Sequence, residues 1–480
     1  MQRLSGLDAG FLYLETPSQL LHICGLIVLD PSTVPGGYDY VSLRNELEAR
    51  LTAVPQFRMK LADSRFNLDH PVWVDDHDFD LDRHVHHVGV PAPGGRTELA
   101  ELCGHIAAQP LDRSRPLWEM WFVDGLDDGR IAVIAKMHHA GVDGVSGAAL
   151  IAQLCSLDPA DPRPEPVQWG AGDANDLAIA IAGALNVARR PLHLLRILPG
   201  AVTSLTSWIA RARRGDAMPA PFTAPRTPFN STITGHRNVG FAELNLDDVK
   251  LVKNVFGVTV NDVVMAVCAG ALRRYLERRG ELPDSPLIGM IPVSVHGRSD
   301  RPGRNQVSAM FADLHTHIAD PAERLRALSE ANAVAKEHNA DLGANLLQDW
   351  SQFLGAAVFA PAMRAYAGLR LADRHPVIHN LVISNVPGPA VPLYFLGARM
   401  TAMYPFGPIF HGAALNITVL SLDGRLDIGL ISCPDLVPDL WELVDDFSSA
   451  LEDLILAAGA ENDDILASDA ERDDVVSQER

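Results

Sequence analysis

A mixed α/β protein of two domains, each combining α/β units with antiparallel strands, is the fold class this sequence predicts, and three observations carry the prediction. At 480 residues the chain exceeds what one ordinary core organises, so two domains with connecting chain are expected. Runs with strand patterning alternate with runs of helical spacing through both halves. Two turn signals, Asp127-Asp128-Gly129 and Asp423-Gly424, each join a pair of strand-like runs into a hairpin, so neither sheet is purely parallel.

Taken in order, Gln19 to Asp30 reads as a buried strand, a Pro/Gly loop covers Pro31 to Gly37, and Tyr40 to Leu51 has the spacing of an amphipathic helix. An aromatic and acidic stretch, Val72 to Val90, holds His84, His86 and His87. On a strand His-x-His-His sends neighbouring rings to opposite faces, and no partner has ligand spacing, so a surface strand is expected there in place of a metal site. Glu98 to Gln109 is helical, Glu119 to Val123 is a strand, and the Asp127 hairpin turns the chain into a second strand beginning at Ile131. A helix follows to about Cys155 and stops before the Pro-rich DPADPRPEP.

Leu177 to Arg214 departs from the acidic chain around it, with six arginines (Arg189, Arg190, Arg196, Arg211, Arg213 and Arg214), no acidic residue and many Leu, Ile and Ala. It suits either a basic amphipathic segment on an anionic lipid surface or an interdomain helical linker, with the linker favoured. Two helical patterns cover Leu246 to Arg279, the later one starting at Thr259 and carrying Val263, Val267, Ala271 and Tyr275 on one face. Leu287 to Val295 is a strand, and Ala322 to Leu371 is helical. Asn380 to Asn385, Ala413 to Ser421 and Arg425 to Ser432 are strands, and Asp439 to Ala457 is a closing helix with Leu440, Leu443, Phe447, Leu451 and Leu454 aligned. The expected domains are 1–170, a linker over 171–225, a second domain over 226–458 and an acidic, disordered tail over 459–480.

Composition excludes several function classes. A net charge of −20 argues against nucleic acid as a partner, because phosphate binding needs clustered Lys and Arg. Five widely spaced cysteines, with no CxxC, read as reduced core residues of a cytoplasmic protein. The N-terminus lacks the apolar stretch of a secretion signal, and no run of 18 or more apolar residues suggests a membrane span, so contact with lipid would be peripheral.

The stretch that points to chemistry is IAVIAKMHHAGVDGVSG, Ile131 to Gly147: an apolar β-branched strand, two histidines, a tight turn and a helix start. A strand-end imidazole in a cleft can act as a general base near neutral pH. Adjacent histidines on a strand point to opposite faces, so one of His138 and His139 reaches the cleft and the other turns inward. Asp143 holds the turn, by capping the helix or by pairing with a buried arginine, and Gly144 leaves space beside the base. A histidine pair with an N-capping Asp can equally be purely structural.

HHAGVDG at His138 to Gly144 resembles the HHxxxDG signature of CoA-dependent acyltransferases, the group with chloramphenicol acetyltransferase and peptide-synthetase condensation domains. Further stretches narrow the resemblance to the bacterial wax ester synthase/diacylglycerol acyltransferase family. They are LSGLDAGFLYLE (Leu4 to Glu15), PLW (Pro116 to Trp118), TPFN (Thr227 to Asn230), Asn261-Asp262, PVSVHGR (Pro292 to Arg298) and ISNVPGP (Ile383 to Pro389). Each is weak alone, and together they are specific in order and spacing.

The resemblance implies two chloramphenicol-acetyltransferase-like domains packed face to face with a tunnel between them. It implies His139 as general base, taking the proton of an acceptor hydroxyl that attacks the thioester of acyl-CoA, with His138 beside it. It makes Asp143 the structural aspartate, with Arg298 as candidate partner, and places Asn261, Ser384 and Asn385 at the cleft as substrate- or oxyanion-orienting groups; turn formation and helix capping are their alternative roles. The expected reaction is long-chain acyl transfer from acyl-CoA to diacylglycerol or a fatty alcohol. Neither cofactor nor metal is called for, since acyl-CoA is a substrate, and no GxSxG elbow suggests an acyl-enzyme. The cytoplasm, with peripheral contact to the inner membrane or lipid droplets, is the expected location. Alternatives are a condensation-like enzyme with another lipid alcohol as acceptor, or a weakly catalytic lipid-surface protein of the same fold.

Overall fold

The computed structural model describes residues 2–62, 69–142, 151–160, 206–294, 307–342 and 356–478. Strands are β1 Gln2–Arg3, β2 His22–Asp30, β3 Met59–Ala62, β4 Val72–Asp75, β5 Val85–Gly89, β6 Trp118–Asp124, β7 Ile131–His138, β8 Cys155–Ser156, β9 Asn238–Asn245 and β10 Ile288–Ser294. There follow β11 Val307–Asp313, β12 Leu381–Val386, β13 Tyr394–Phe395, β14 Ala398–Phe406, β15 Leu415–Leu422 and β16 Arg425–Ser432. The helices are α1 Gly6–Leu14, α2 Tyr40–Leu51, α3 Arg96–Ala107, α4 Leu246–Phe256, α5 Val260–Arg278, α6 Pro321–Leu342, α7 Ala356–Gly368 and α8 Leu440–Gln478.

Two mixed sheets carry the architecture. The first runs β5-β6-β7-β2-β14-β13-β8 and the second β11-β10-β12-β15-β16-β9, with a small β1-β4-β3 sheet beside the first. Both predicted hairpins form, β6 with β7 and β15 with β16. Alternation decides how the first sheet is covered. Cys24, Leu26, Val28, Ala132 and Ile134 share a core with Leu99, Cys103 and Ile106 of α3, whereas Ile27, Leu29, Ile131 and Val133 pack with Leu43, Leu47 and Leu51 of α2. Lys136 continues the α3 side. It is fully buried, its Nζ 2.9 Å from Glu119 and donating to the carbonyls of Ile106 and Gln109, so a cation meets the carboxyl end of α3.

The second sheet is covered by α5 and α8. Val263, Val267, Ala271 and Tyr275 of α5 and Leu440, Leu443, Phe447, Leu451 and Leu454 of α8 are all buried, as their spacing predicted. Thr259 caps α5 reciprocally with Asp262, whose carboxylate also accepts from Asn332 of α6 at 2.9 Å. Gly240 in β9 makes the α8 contact possible, since a Cβ there would meet Val444 Cγ2 at 2.6 Å.

The structure departs from the sequence reading at several points. β13 and β14 belong by sequence to the second half, yet they join the first sheet, β14 pairing antiparallel with β2. β9 and β11 carry no strong strand signal, and each is held by an antiparallel neighbour, β16 and β10. The expected surface strand forms as β5 at the edge of the first sheet with His87 exposed, but His84 just before it is buried, stacking on Trp118 with its Nδ1 2.8 Å from the Trp118 carbonyl. The backbone of α8 continues helical to Gln478, past the point where acidic composition predicted a disordered tail. Most of the Arg-rich segment lies outside the described residues. From its end, Trp208 packs near Phe311 and donates to the Met218 carbonyl at 2.9 Å. No single described helix is long and apolar enough to cross a membrane; α4 and α5 reach the required length and composition only as a pair, bent by 105°.

The sheets interlock where β14 crosses β16. Met403 N–H donates to Asp427 Oδ2 at 2.7 Å, and a Cβ on Gly429 would lie 2.0 Å from the Pro405 carbonyl. Asp427 is fully buried, and burial pushes its carboxyl up to about 7. A raised folded value means the native state holds the proton through a range where the unfolded chain, with its ordinary value near 3.8, has lost it. The contribution of this group to stability is therefore greatest below pH 4 and is lost as pH rises through 7. Asp427→Asn keeps an acceptor for Met403 and removes the dependence. Its melting temperature should gain on the native protein's as pH goes from 5 to 8, with a ceiling of about 3 kcal/mol because about two pH units of that range lie below 7. A constant difference across that range, measured by thermal denaturation, would refute the assignment.

Candidate active site

The site begins at the end of β7, where every residue from Ile131 to His138 is buried. Neighbouring chain holds the backbone on both sides: His138 N–H donates to the Leu117 carbonyl at 3.0 Å and His139 N–H to the Leu21 carbonyl at 2.9 Å. A turn follows, closed by Gly141 N–H on the His138 carbonyl at 2.9 Å. Ala140 N–H donates to His138 Nδ1 at 2.9 Å, which makes Nδ1 the acceptor and places the His138 proton on Nε2.

The two histidines diverge as strand alternation requires. His138 continues the inner face, is 1% exposed, and sits edge-on to His22, its register partner on β2. Its Nε2 lies 3.2 Å from Glu15 Oε1, off the ideal hydrogen-bond line but close enough for strong attraction. His139 follows Ala135 and Met137 into the cavity and stacks on Phe11 of α1, ring centroids 4.0 Å apart and 10° from parallel.

Glu15 is the residue the sequence reading missed. It follows the last turn of α1, and its carboxylate accepts from Leu21 N–H at 2.8 Å and from the Arg113 guanidinium while facing His138 and His22. Burial raises its pKa, but the close approach of the His138 Nε2–H, with His22 and the Arg113 guanidinium nearby, outweighs that and holds the carboxyl well below the usual range. Burial drives the His22 imidazole well below its ordinary value. The one available signal was an acid closing the otherwise apolar AGFLYLE.

Ligand atoms of Glu15, His22 and His138 lie within 4.8 Å of one another, a spacing that could hold a metal ion. The donor chemistry does not fit one. With Nδ1 accepting from Ala140, the nitrogen turned towards Glu15 carries a proton and has no lone pair for a metal, and Arg113 already supplies the positive charge.

The cavity has a volume of about 210 Å³ and lies between the sheets. Ile23, Cys24, Gly25, Ala135 and Met137 line it from β2 and β7, and Met403, Pro405 and Phe406 from β14. The second sheet contributes Met290, Pro292, Val382, Val386 and Leu420, and α1 adds Leu7 and Phe11. Polar groups are few: His139, Ser308, Ser384, Asn416 and Thr418. Thr418 Oγ1 donates to Asn416 Oδ1 at 2.8 Å and lies beside Ser384 in the parallel β12–β15 register.

Strand alternation separates the other candidates. Ser384 faces the cavity, whereas Asn385 points the other way and donates to Asn261 Oδ1 at 3.2 Å, joining β12 to the start of α5. Neither Asn261 nor Asn385 lines the cavity. Asp143, Gly144 and Arg298 lie outside the described residues. PLW supports the histidines: Leu117 holds the His138 backbone, and Trp118 donates to the Phe57 carbonyl at 2.7 Å. In TPFN, Asn230 is fully buried, donates to the Gly412 carbonyl at 2.7 Å and accepts from Thr227 and Asn380, so that motif ties the loop to β12.

The same fold occurs in the first condensation domain of the calcium-dependent antibiotic synthetase, with a TM-score of 0.55 at 15% identity, covering 95% of this chain and 97% of that one. At that identity the likeness establishes the two-sheet fold, here with a strand-end histidine opening on the cleft between the sheets. The sequence profile of the wax ester synthase/diacylglycerol acyltransferase catalytic domain matches residues 4–264, and that of the family's C-terminal domain residues 304–455. A Mycobacterium tuberculosis protein named as a diacylglycerol O-acyltransferase is 53% identical over 456 residues, covering 95% of this chain and 90% of its own length. A Mycobacterium bovis protein of the same designation is 36% identical, over 94% and 98%. The wax ester synthase/diacylglycerol acyltransferase of Marinobacter aquaeolei VT8 has a TM-score of 0.68 at 30% identity, covering 95% of this chain and all of that one. The chain belongs to the wax ester synthase/diacylglycerol acyltransferase family.

Glu15 provides a direct test of how the histidine turn is held. Its depressed folded pKa contributes stability that is present above the ordinary value of 4.5 and lost as pH falls. Glu15→Ala leaves Leu21 N–H without its acceptor and Arg113 without its carboxylate. It should cost about 1.5–3 kcal/mol at pH 7, the range for hydrogen bonds to charged groups, and less at pH 4. Urea denaturation at the two pH values checks this, and an equal cost at both would show that the carboxylate charge is not the stabilising element.

Proposed function

We propose that this acyltransferase moves a long-chain acyl group from acyl-CoA to the free hydroxyl of diacylglycerol, with His139 as general base. The observation that carries the reading is a single imidazole standing in a predominantly apolar cavity between two sheets. Apolar walls favour acyl chains, whose burial is worth about 0.8 kcal/mol per methylene. The imidazole accepts the hydroxyl proton as the oxygen attacks the thioester carbonyl carbon. A tetrahedral oxyanion forms, then collapses with loss of the CoA thiolate, which takes the proton back from His139. The hydroxyl of Ser384, which lines the cavity, is the group available to donate to that oxyanion. The names of the mycobacterial relatives favour diacylglycerol as acceptor, and the Marinobacter enzyme's name adds a fatty alcohol as a second one.

Direct transfer fits the cavity better than an acyl-enzyme. Cys24 is the cavity-lining cysteine, and burial pushes its thiol up to about 12, which leaves almost no thiolate near neutral pH. The reaction written this way uses acyl-CoA as substrate and needs no cofactor.

Purified protein with palmitoyl-CoA and diolein should yield triacylglycerol on thin-layer chromatography, and hexadecanol in place of diolein tests for wax ester. His139→Ala should lower turnover about 10²–10⁴-fold, the usual contribution of a general base, with little change in melting temperature. His138→Ala should lower the melting temperature and affect the rate less. Equal, small losses from both substitutions would overturn the role given to His139.

A further inference from the structure

Phe222, Leu369 and Leu371 are 55%, 60% and 37% exposed, and they gather at one place on the surface. α7 packs Phe359 and Ala360 towards the cluster holding Leu12, Tyr13 and Phe11 of α1, while Ala362, Arg364, Ala365 and Gly368 face outward. The loop around Phe222 is tied to the far end of α7. Arg226 donates to the carbonyls of Ala372 and His375, Tyr366 Oη lies 2.5 Å from His375 Nε2, and the Phe222 ring sits edge-on to His375 at 6.4 Å. Phe222 and Arg370 both have left-handed backbone, with φ of 68° and 51°, a conformation that costs energy for any residue with a Cβ. Here it keeps a phenyl ring and a leucine-bearing turn directed at solvent.

The charge around these side chains has one sign in excess. Arg364, Arg370 and Arg374 are exposed; Arg370 pairs with Asp373 at 2.7 Å, whereas Arg364 and Arg374 have no carboxylate within 4 Å among the described residues. On a chain with a net charge of −20 this is a local basic island with apolar tips. That combination suits the boundary between anionic headgroups and acyl chains, where arginine stems lie along apolar surface and their heads meet phosphate.

We propose that this face docks on an anionic lipid bilayer, with Phe222, Leu369 and Leu371 entering the acyl boundary and Arg364 and Arg374 meeting lipid phosphates. α7 rises about 13 Å from Phe359 to its last residue, Gly368, at 1.5 Å per residue, so the docked end just beyond it and the cavity wall at Phe11 are joined by one helix. The biological sense of the docking rests on the diacylglycerol reading; its binding chemistry does not.

Flotation of the full-length protein with phosphatidylcholine vesicles, with and without phosphatidylglycerol, tests the proposal. Two variants are compared with the native chain: F222S/L369S/L371S and R364E/R374E. The native protein should float with the anionic vesicles and release at high salt, and each variant should partition roughly tenfold less or weaker still. Turnover of detergent-dispersed diolein should be unchanged, because none of these residues lines the cavity. Variants that float like the native protein, or a native protein that does not float, would overturn the docking face. So would a native dimer in size-exclusion chromatography that the variants dissociate, since a second copy would then occupy the face. Should the triple variant fail to fold, the charge variant decides. Absence of turnover in detergent would instead overturn the proposed reaction and leave the vesicle result standing.

Discussion

The close crossing of β14 over β16 is the constraint on which the cavity depends. Gly429 leaves no side chain between that strand and the Pro405 carbonyl, and Asp427 takes the Met403 N–H, so a strand from the second half is held beside the first sheet. Met403, Pro405 and Phe406 then form cavity wall on the first-sheet side while β12 and β15 form it on the second. Away from the cavity the two sheets share one core, in which Leu26 and Val28 of β2 belong with Ile428 and Leu430 of β16, and the interlock leaves a carboxyl group buried.

A half-buried carboxylate orders the histidine turn. Glu15 draws together Arg113, His22, His138 and the Leu21 amide at the end of α1, and the same helix carries Phe11 against the His139 ring. One anion therefore fixes both sides of the general-base candidate: the strand end that carries it and the helix that stacks on it. His138 contributes through its acceptor nitrogen, which ties down Ala140 and sets the turn that aims His139 into the cavity.

Sequence periodicity made most of this legible. The helices over Tyr40–Leu51, Val260–Arg278 and the start of α8, both hairpins, and the divergence of His138 from His139 follow from spacing alone, because each reflects a local period. Among the strands it did not disclose, β14 and β9 pair with distant partners. β14 reads as ordinary surface chain until β2 supplies its partner, and β9 contains Gly240 for the sake of a helix two hundred residues away. Glu15 was hard to read for a similar reason: its partners come from three separate segments, at Leu21 and His22, Arg113 and His138, and an acid closing an apolar helix is a weak local signal. Asn385 was placed at the cleft by its motif, yet strand alternation gives the cavity to Ser384 and turns Asn385 towards Asn261.

The placement of function on the two sheets also bears on how one scaffold can serve different acceptors. His139 and its supports, Glu15, Leu21, Phe11 and Leu117, all come from the first half of the chain, and they are locked by hydrogen bonds and burial. Much of the facing wall comes from β10, β12 and β15, where Met290, Val382, Val386 and Leu420 meet the cavity through side chains alone. Changes in those side chains alter the shape available to a substrate without reaching the histidine turn. The condensation domain shares the fold at 15% identity, so the two-sheet frame tolerates wide sequence change. Acceptor choice in this protein is therefore expected to reside in the second sheet, and proton transfer in the first.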